Sequence, residues 1–184
     1  LPPPAGPLVA SETHPDQERW YKESNVSLSW SQPSSVKAEG YSYVINNMPV
    51  DITDNVSEGQ DQSVVYQQVG EGTKYFHIKT LRSGAWGGTT HFAFNIDTAP
   101  PAEFPIEVNP GVRTNAKQPL VRFITTDALS GIDHYELKVV PLKPLDGVTF
   151  PDQPLFIEVQ SPFVLPELER GRYDVLVRAY DRAG

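Results

Sequence analysis

Short runs in which apolar and polar residues alternate dominate the chain. In Val26-Ser27-Leu28-Ser29-Trp30 the apolar side chains fall on one face and the serines on the other, which is the period of a half-buried strand. After a Gly40 turn, Tyr41 to Ile45 repeats the pattern. A polar stretch from Asp54 to Gln62 leads to Ser63 to Val69, then to Lys74 to Leu81 with Phe76, Ile78 and Thr80 on one face. His91 to Asp97 closes the set with Phe92, Phe94 and Ile96 aligned. No segment keeps a 3.6-residue apolar period long enough for a helix, and the turn-rich spacers have the intervals of an all-β sandwich.

The pattern stops at Thr98-Ala99-Pro100-Pro101 and starts again. Two prolines among small residues make a short stiff linker. Beyond it, strands are expected at Leu120 to Thr125, Ile132 to Val140, Ser161 to Leu165 and Arg172 to Tyr180. Gly72 to Leu81 aligns without a gap on Gly171 to Tyr180, placing Phe76, Ile78 and Thr80 over Val175, Val177 and Ala179 as core positions. Lys79 and Arg178 then share the outer face, a weak internal repeat. The division read from this is a proline-rich linker over 1–8, a first sandwich over 9–98 and a second over 99–184.

Charge narrows the partners. The formal net charge of the 184 residues is -8, with 6 basic and 11 acidic residues before Thr98 and 9 and 12 from there on. Neither half is a cationic module, which argues against nucleic acid and anionic lipid. No apolar run approaches a membrane span, so direct membrane insertion is not expected. Leu1 to Ala10 also lacks the basic start of a signal peptide. The absence of cysteine removes thiol chemistry, cysteine zinc sites and disulfides. A start at Leu1 without methionine, directly in the linker-like stretch Leu1-Pro2-Pro3-Pro4-Ala5-Gly6-Pro7, reads as a piece excised from a longer chain.

The second half resembles bacterial immunoglobulin-like and fibronectin type III-like repeats of cell-surface and secreted proteins. The resemblance is carried by Asp127-Ala128-Leu129-Ser130-Gly131-Ile132-Asp133-His134-Tyr135-Glu136, by Ser161-Pro162-Phe163, and by Gly171 followed by Tyr173, Val175, Val177, Arg178, Ala179, Tyr180, Asp181 and Ala183-Gly184. The first half is similar to a related repeat through Thr13-His14-Pro15-Asp16-Gln17, Trp20-Tyr21, Ser29-Trp30, Tyr75-Phe76-His77-Ile78 and Asn95-Ile96-Asp97-Thr98-Ala99-Pro100-Pro101. It implies two tandem immunoglobulin/fibronectin III-like β-sandwiches. Lack of the core disulfide usual in secreted eukaryotic immunoglobulin domains points to a bacterial or archaeal source, or to a fibronectin-like domain. Arg82-Ser83-Gly84-Ala85-Trp86 departs from the acidic turn at Asp181-Arg182-Ala183-Gly184, so a turn contact shared by the halves is in doubt. The second unit also stops where the first still has Trp86 and a strand to come, so it lacks its last strand. A truncated piece, a continuation past Gly184 and a strand from another chain all account for that, the first two being favoured because Leu1 to Pro7 makes a poor donor strand.

Candidate chemistry is sparse. No nucleophile elbow, zinc-protease motif or phosphate loop occurs, so no catalytic or cofactor residue is expected. His77 and His91 read as sheet-face packing. Asp133 and His134 are adjacent, but neighbours on a strand point to opposite faces, which argues against contact. Calcium is the one metal considered, with Asp127, Asp133 and Asp181 as candidates and Asp97 at the junction; the competing reading has Asp127 and Asp133 bracketing the Ser130-Gly131 turn through side-chain-to-backbone bonds. Trp20, Tyr75 and Trp86, with Tyr21, are candidates for a glycan platform. Against that, Trp30 is expected in the core and Trp20-Tyr21 as the pin of the first segment. Asn25-Val26-Ser27 and Asn55-Val56-Ser57 match the glycosylation pattern at near-chance frequency, Asn55 being the more accessible.

The role expected is a non-catalytic structural, spacer or assembly segment of a larger prokaryotic extracellular or cell-surface protein. Its partners are neighbouring domains of the same polypeptide, self-association and surface polysaccharide being the other classes. The alternative is an adhesive or polysaccharide-binding module of a surface protein or secreted hydrolase.

Overall fold

Thirteen strands and no helix are found among residues 2–33, 37–143 and 154–184, which the computed structural model describes. Leu1, first residue of the proline-rich stretch, lies outside them. The chain divides into two compact units built on Leu1–Ala99 and Pro100–Arg182.

In the first unit, β1 (Leu8–Ser11), β3 (Val26–Ser31) and β5 (Ser63–Tyr66) form one sheet in the order β1-β3-β5. The facing sheet has the order β2-β7-β6-β4, from β2 (Trp20–Tyr21), β4 (Gly40–Asn46), β6 (Gly72–Arg82) and β7 (Ala85–Ile96). β2 runs parallel to β7, pairing Trp20 with Asn95 and Tyr21 with Ile96; the other pairs are antiparallel. Three strands packed on four is the immunoglobulin/fibronectin sandwich. The alternation of β3 drives it: Val26, Leu28 and Trp30 enter a core with Tyr41, Phe76, Ile78, Phe92, Phe94 and Ile96. The Trp30 ring sits 5.1 to 5.7 Å from those of Tyr43, Tyr41 and Phe76. Each large apolar side chain buried this way contributes about 1.5–3 kcal/mol.

Two features of this unit differ from the strand pattern. β7 begins at Ala85, well before His91, because Ser83 and Gly84 take positive φ (52° and 72°) and turn β6 directly into β7, as a two-residue hairpin requires. The proline-rich start also lies against β7. Gly88 N–H donates to the Pro4 carbonyl at 3.0 Å and Thr90 Oγ1 to that of Pro7 at 2.6 Å. A Cβ added at Gly87 would lie 2.1 Å from Pro4 O, so only glycine admits this approach.

The second unit has two three-stranded sheets. β8 (Ile106–Asn109), β9 (Leu120–Phe123) and β12 (Phe163–Val164) run in the order β12-β9-β8; β10 (Ile132–Lys143), β11 (Ile157–Val159) and β13 (Arg172–Asp181) run β11-β10-β13. Val121, Phe123, Leu137, Val159 and Leu165 form its buried core. Here the repeat shows its asymmetry. Phe76, Ile78 and Thr80 are fully buried, whereas the aligned Val175 and Val177 are only half-buried. β6 lies between β4 and β7, while β13 pairs with β10 alone among the described residues.

Candidate functional site

The aromatic candidates for a glycan platform gather on the outer face of the four-stranded sheet of the first unit. Tyr75, His77 and Lys79 alternate with the core residues Phe76, Ile78 and Thr80 along β6, so they share that face. Register extends the row to Trp20 through Asn95, opposite Thr73, and to Trp86, opposite Leu81. Trp20, Tyr75 and Trp86 therefore lie on one face. Trp20 and Tyr75 are a single step apart along the strands, and His77 and Lys79 separate Tyr75 from Trp86.

Two residues of that row lie under a loop. His77 is 0% and Lys79 4% accessible, because the chain between β4 and β5 folds over them. Lys79 Nζ donates to Thr53 O at 2.7 Å and to Asn55 Oδ1 at 2.6 Å, and it sits 5.1 Å from the centre of the Trp86 ring. Thr53 is itself buried and donates to Ser42 O at 3.2 Å, and Ser42 Oγ donates to Asp54. The strand pattern marks Lys79 as outer-face but carries no signal for this cover, which is set by a long-range loop. It also engages Asn55, the sequon residue read as the more accessible.

His77 is held from both sides. Its Nε2 lies 2.9 Å from Asn46 Oδ1 and its Nδ1 2.6 Å from Nδ1 of His91, directly opposite on β7. Tyr75 stacks on it at 6.4 Å. Burial pushes the His77 pKa below the ordinary imidazole value; the neighbouring His91 adds to this, against an upward pull from Asp51.

A second cluster pins the start of the chain. His14 is 0% accessible, with Nε2 2.9 Å from Glu23 O and Nδ1 2.8 Å from Thr13 Oγ1. Thr13 Oγ1 accepts the Ser27 N–H at 3.0 Å, and since a carbonyl only accepts, His14 Nε2 carries a proton and donates it to Glu23 O. Tyr21 and Phe94 pack on the ring at 4.8 and 5.6 Å. Desolvation holds the His14 pKa down, outweighing the upward influence of Glu23. Asn95 joins β2 in place by donating from Nδ2 to the carbonyls of Gln17 and Arg19.

In the second unit, Asp127 Oδ1 accepts the N–H groups of Leu129 and Gly131 at 3.0 and 2.9 Å and the Ser130 hydroxyl at 3.4 Å. That is the carboxylate-capped turn weighed against calcium. Asp133 does not join it. The expectation that Asp133 and His134 stay apart is overturned: Asp133 Oδ2 lies 2.7 Å from His134 Nδ1. A register shift between Ile132 and His134 breaks the alternation on which that expectation rested. His134 stacks on Tyr180 at 4.6 Å and 9°, and the Tyr180 hydroxyl donates to Glu136. Asp181 is buried. Among the described residues, no three His, Cys, Asp or Glu side chains converge on a metal-sized site.

Asp133, His134 and Ser161 line an open groove of about 830 Å³ with Tyr135 and Phe123. Ser161 Oγ accepts the Phe123 N–H at 3.0 Å, and among the described residues no hydrogen bond joins it to His134. The groove thus holds an Asp-His pair without a nucleophile bonded to it.

No family model matches the chain, and no curated protein does. Among solved structures it is similar to the crystal structure of chicken CNTN1 FN1-FN3 domains, at 15% identity and a TM-score of 0.37 over 98% of this chain. The chain spans 65% of that fragment, under two thirds of its length. The sandwich assignment rests on the sheets described above.

Proposed function

We propose that the chain is a non-catalytic structural or spacer segment of a larger prokaryotic extracellular or cell-surface protein, working through its neighbouring domains. One observation carries this reading: in the first unit, the polar side chains best suited to binding or catalysis are buried in bonds that hold the sandwich together. His14, His77, Lys79 and Asn95 each fasten a loop or strand to the first unit. A buried polar group satisfied in this way specifies one packing.

The alternative, an adhesive or polysaccharide-binding module, draws on a different observation, the placing of Trp20, Tyr75 and Trp86 on one sheet face. Retention on insoluble cellulose, chitin and peptidoglycan separates the two readings. The spacer reading predicts that wild type, Tyr75→Ala and Trp86→Ala all pass unretained. Retention of wild type that is lost in folded Trp86→Ala would establish the binding module instead.

A further inference from the structure

We propose that His77 and His91 form a two-imidazole site for a first-row divalent cation of the zinc and copper class, clipping β6 to β7. Whatever role the sandwich serves, the neighbours of His77 fix its tautomer. Asn46 Oδ1 accepts the Met48 N–H at 2.9 Å, and Asn46 Nδ2 donates to Asp51 Oδ2 at 2.6 Å. These two bonds fix which end of the amide is oxygen. Since Oδ1 accepts, the His77 Nε2 2.9 Å away carries the proton, and Nδ1 is left with a lone pair. That lone pair accepts the Nδ1–H of His91 at 2.6 Å; when a cation takes both Nδ1 lone pairs, that proton moves by way of solvent to Nε2 of the exposed His91 ring.

An imidazole whose far N–H is given to a fixed carbonyl oxygen, backed by a carboxylate, has the orientation and basicity of a metal ligand. Imidazole nitrogen suits zinc, copper and nickel rather than calcium or magnesium. His91 is solvent-exposed, so an ion reaches the pair from its side. With Zn–N bonds of about 2.0–2.1 Å in a tetrahedral site, the nitrogens must stand roughly 3.3 Å apart. The pair opens by well under 1 Å, and a rotation of the exposed His91 ring supplies it.

Zinc alone is the probe. Zn²⁺ is titrated into ¹⁵N-labelled protein while imidazole nitrogens are followed by long-range ¹H–¹⁵N spectra and affinity by calorimetry. The Nδ1 signals of His77 and His91 should move together with one equivalent of metal. His91→Gln, at an exposed position, should keep the fold by circular dichroism and lose at least about tenfold in affinity. His134→Gln should bind as wild type. Zinc binding equal in His91→Gln and wild type would overturn the site, as would shifts confined to His134 or an unmoved His77 Nδ1 at millimolar zinc.

Discussion

Lys79→Met isolates the buried ammonium that holds the cover over the outer sheet face. Methionine keeps most of the aliphatic stem, so the change removes the charge and its donors. In the variant the Thr53 carbonyl, inside a residue only 7% accessible, loses its 2.7 Å donor, and leaving such an acceptor unpaired costs about 1–3 kcal/mol. Loss of the cation over Trp86 adds about 0.5–1 kcal/mol. The exposed Asn55 finds water instead, and relief from burying an ammonium offsets part of the total. The balance is a destabilisation of about 2 kcal/mol, roughly a thirtyfold change in the folding equilibrium. Urea denaturation should show a lower midpoint with unchanged slope. Hydrogen exchange should show lost protection first at the Val56 amide, whose acceptor Asp54 Oδ1 also receives Ser42 Oγ. A Lys79→Met protein within 0.5 kcal/mol of wild type would refute the claim that this lysine anchors the cover.

Acid should act through His14. With its folded pKa held below the ordinary value near 6.5, the unfolded chain takes up the proton first, so the His14 contribution is intact above pH 6.5 and declines as pH falls towards the lowered folded value, by up to about 1.4 kcal/mol per pH unit. Urea midpoints measured from pH 7.5 downwards for wild type and His14→Gln should diverge above pH 6.5 and converge below it. Leu28→Ala, at a fully buried core position, should cost about 3 kcal/mol by the same assay. Gly87→Ala should cost about 1–3 kcal/mol and expose the Gly88 amide to exchange, since the added Cβ displaces the Pro4 carbonyl that it bonds. Asp127→Ala should lower the melting temperature more than Asp127→Asn, which keeps the turn acceptor, and a calcium chelator should leave wild type unchanged.

What alternation could show, it showed. The runs Val26 to Trp30 and Lys74 to Leu81 become β3 and β6 because a period of two is a local property of the backbone. The bond between Asp133 and His134 escaped that logic because a register shift is decided by how β10 meets β13, not by either residue's type. The burial of His77 and Lys79 escaped it as well, since the covering segment reaches them from Asn46 and from Thr53 to Asn55. A lysine at an outward strand position gives no sign of such a cover. The repeat places Lys79 and Arg178 on the same outer face, and the structure adds that each rests its cation on an aromatic ring, Trp86 in the first unit and Phe156 at 3.8 Å in the second.

The central claim is that these sandwiches serve as structure rather than as a binding or assembling surface. Multi-angle light scattering on residues 1–184, from micromolar to near-millimolar concentration, tests it most directly. The account predicts the mass of a 20.4 kDa monomer at every concentration. Ordered oligomers that grow with concentration would contradict it and make assembly the function, with the edge of β13, which among the described residues pairs with β10 alone, the first place to look for the contact.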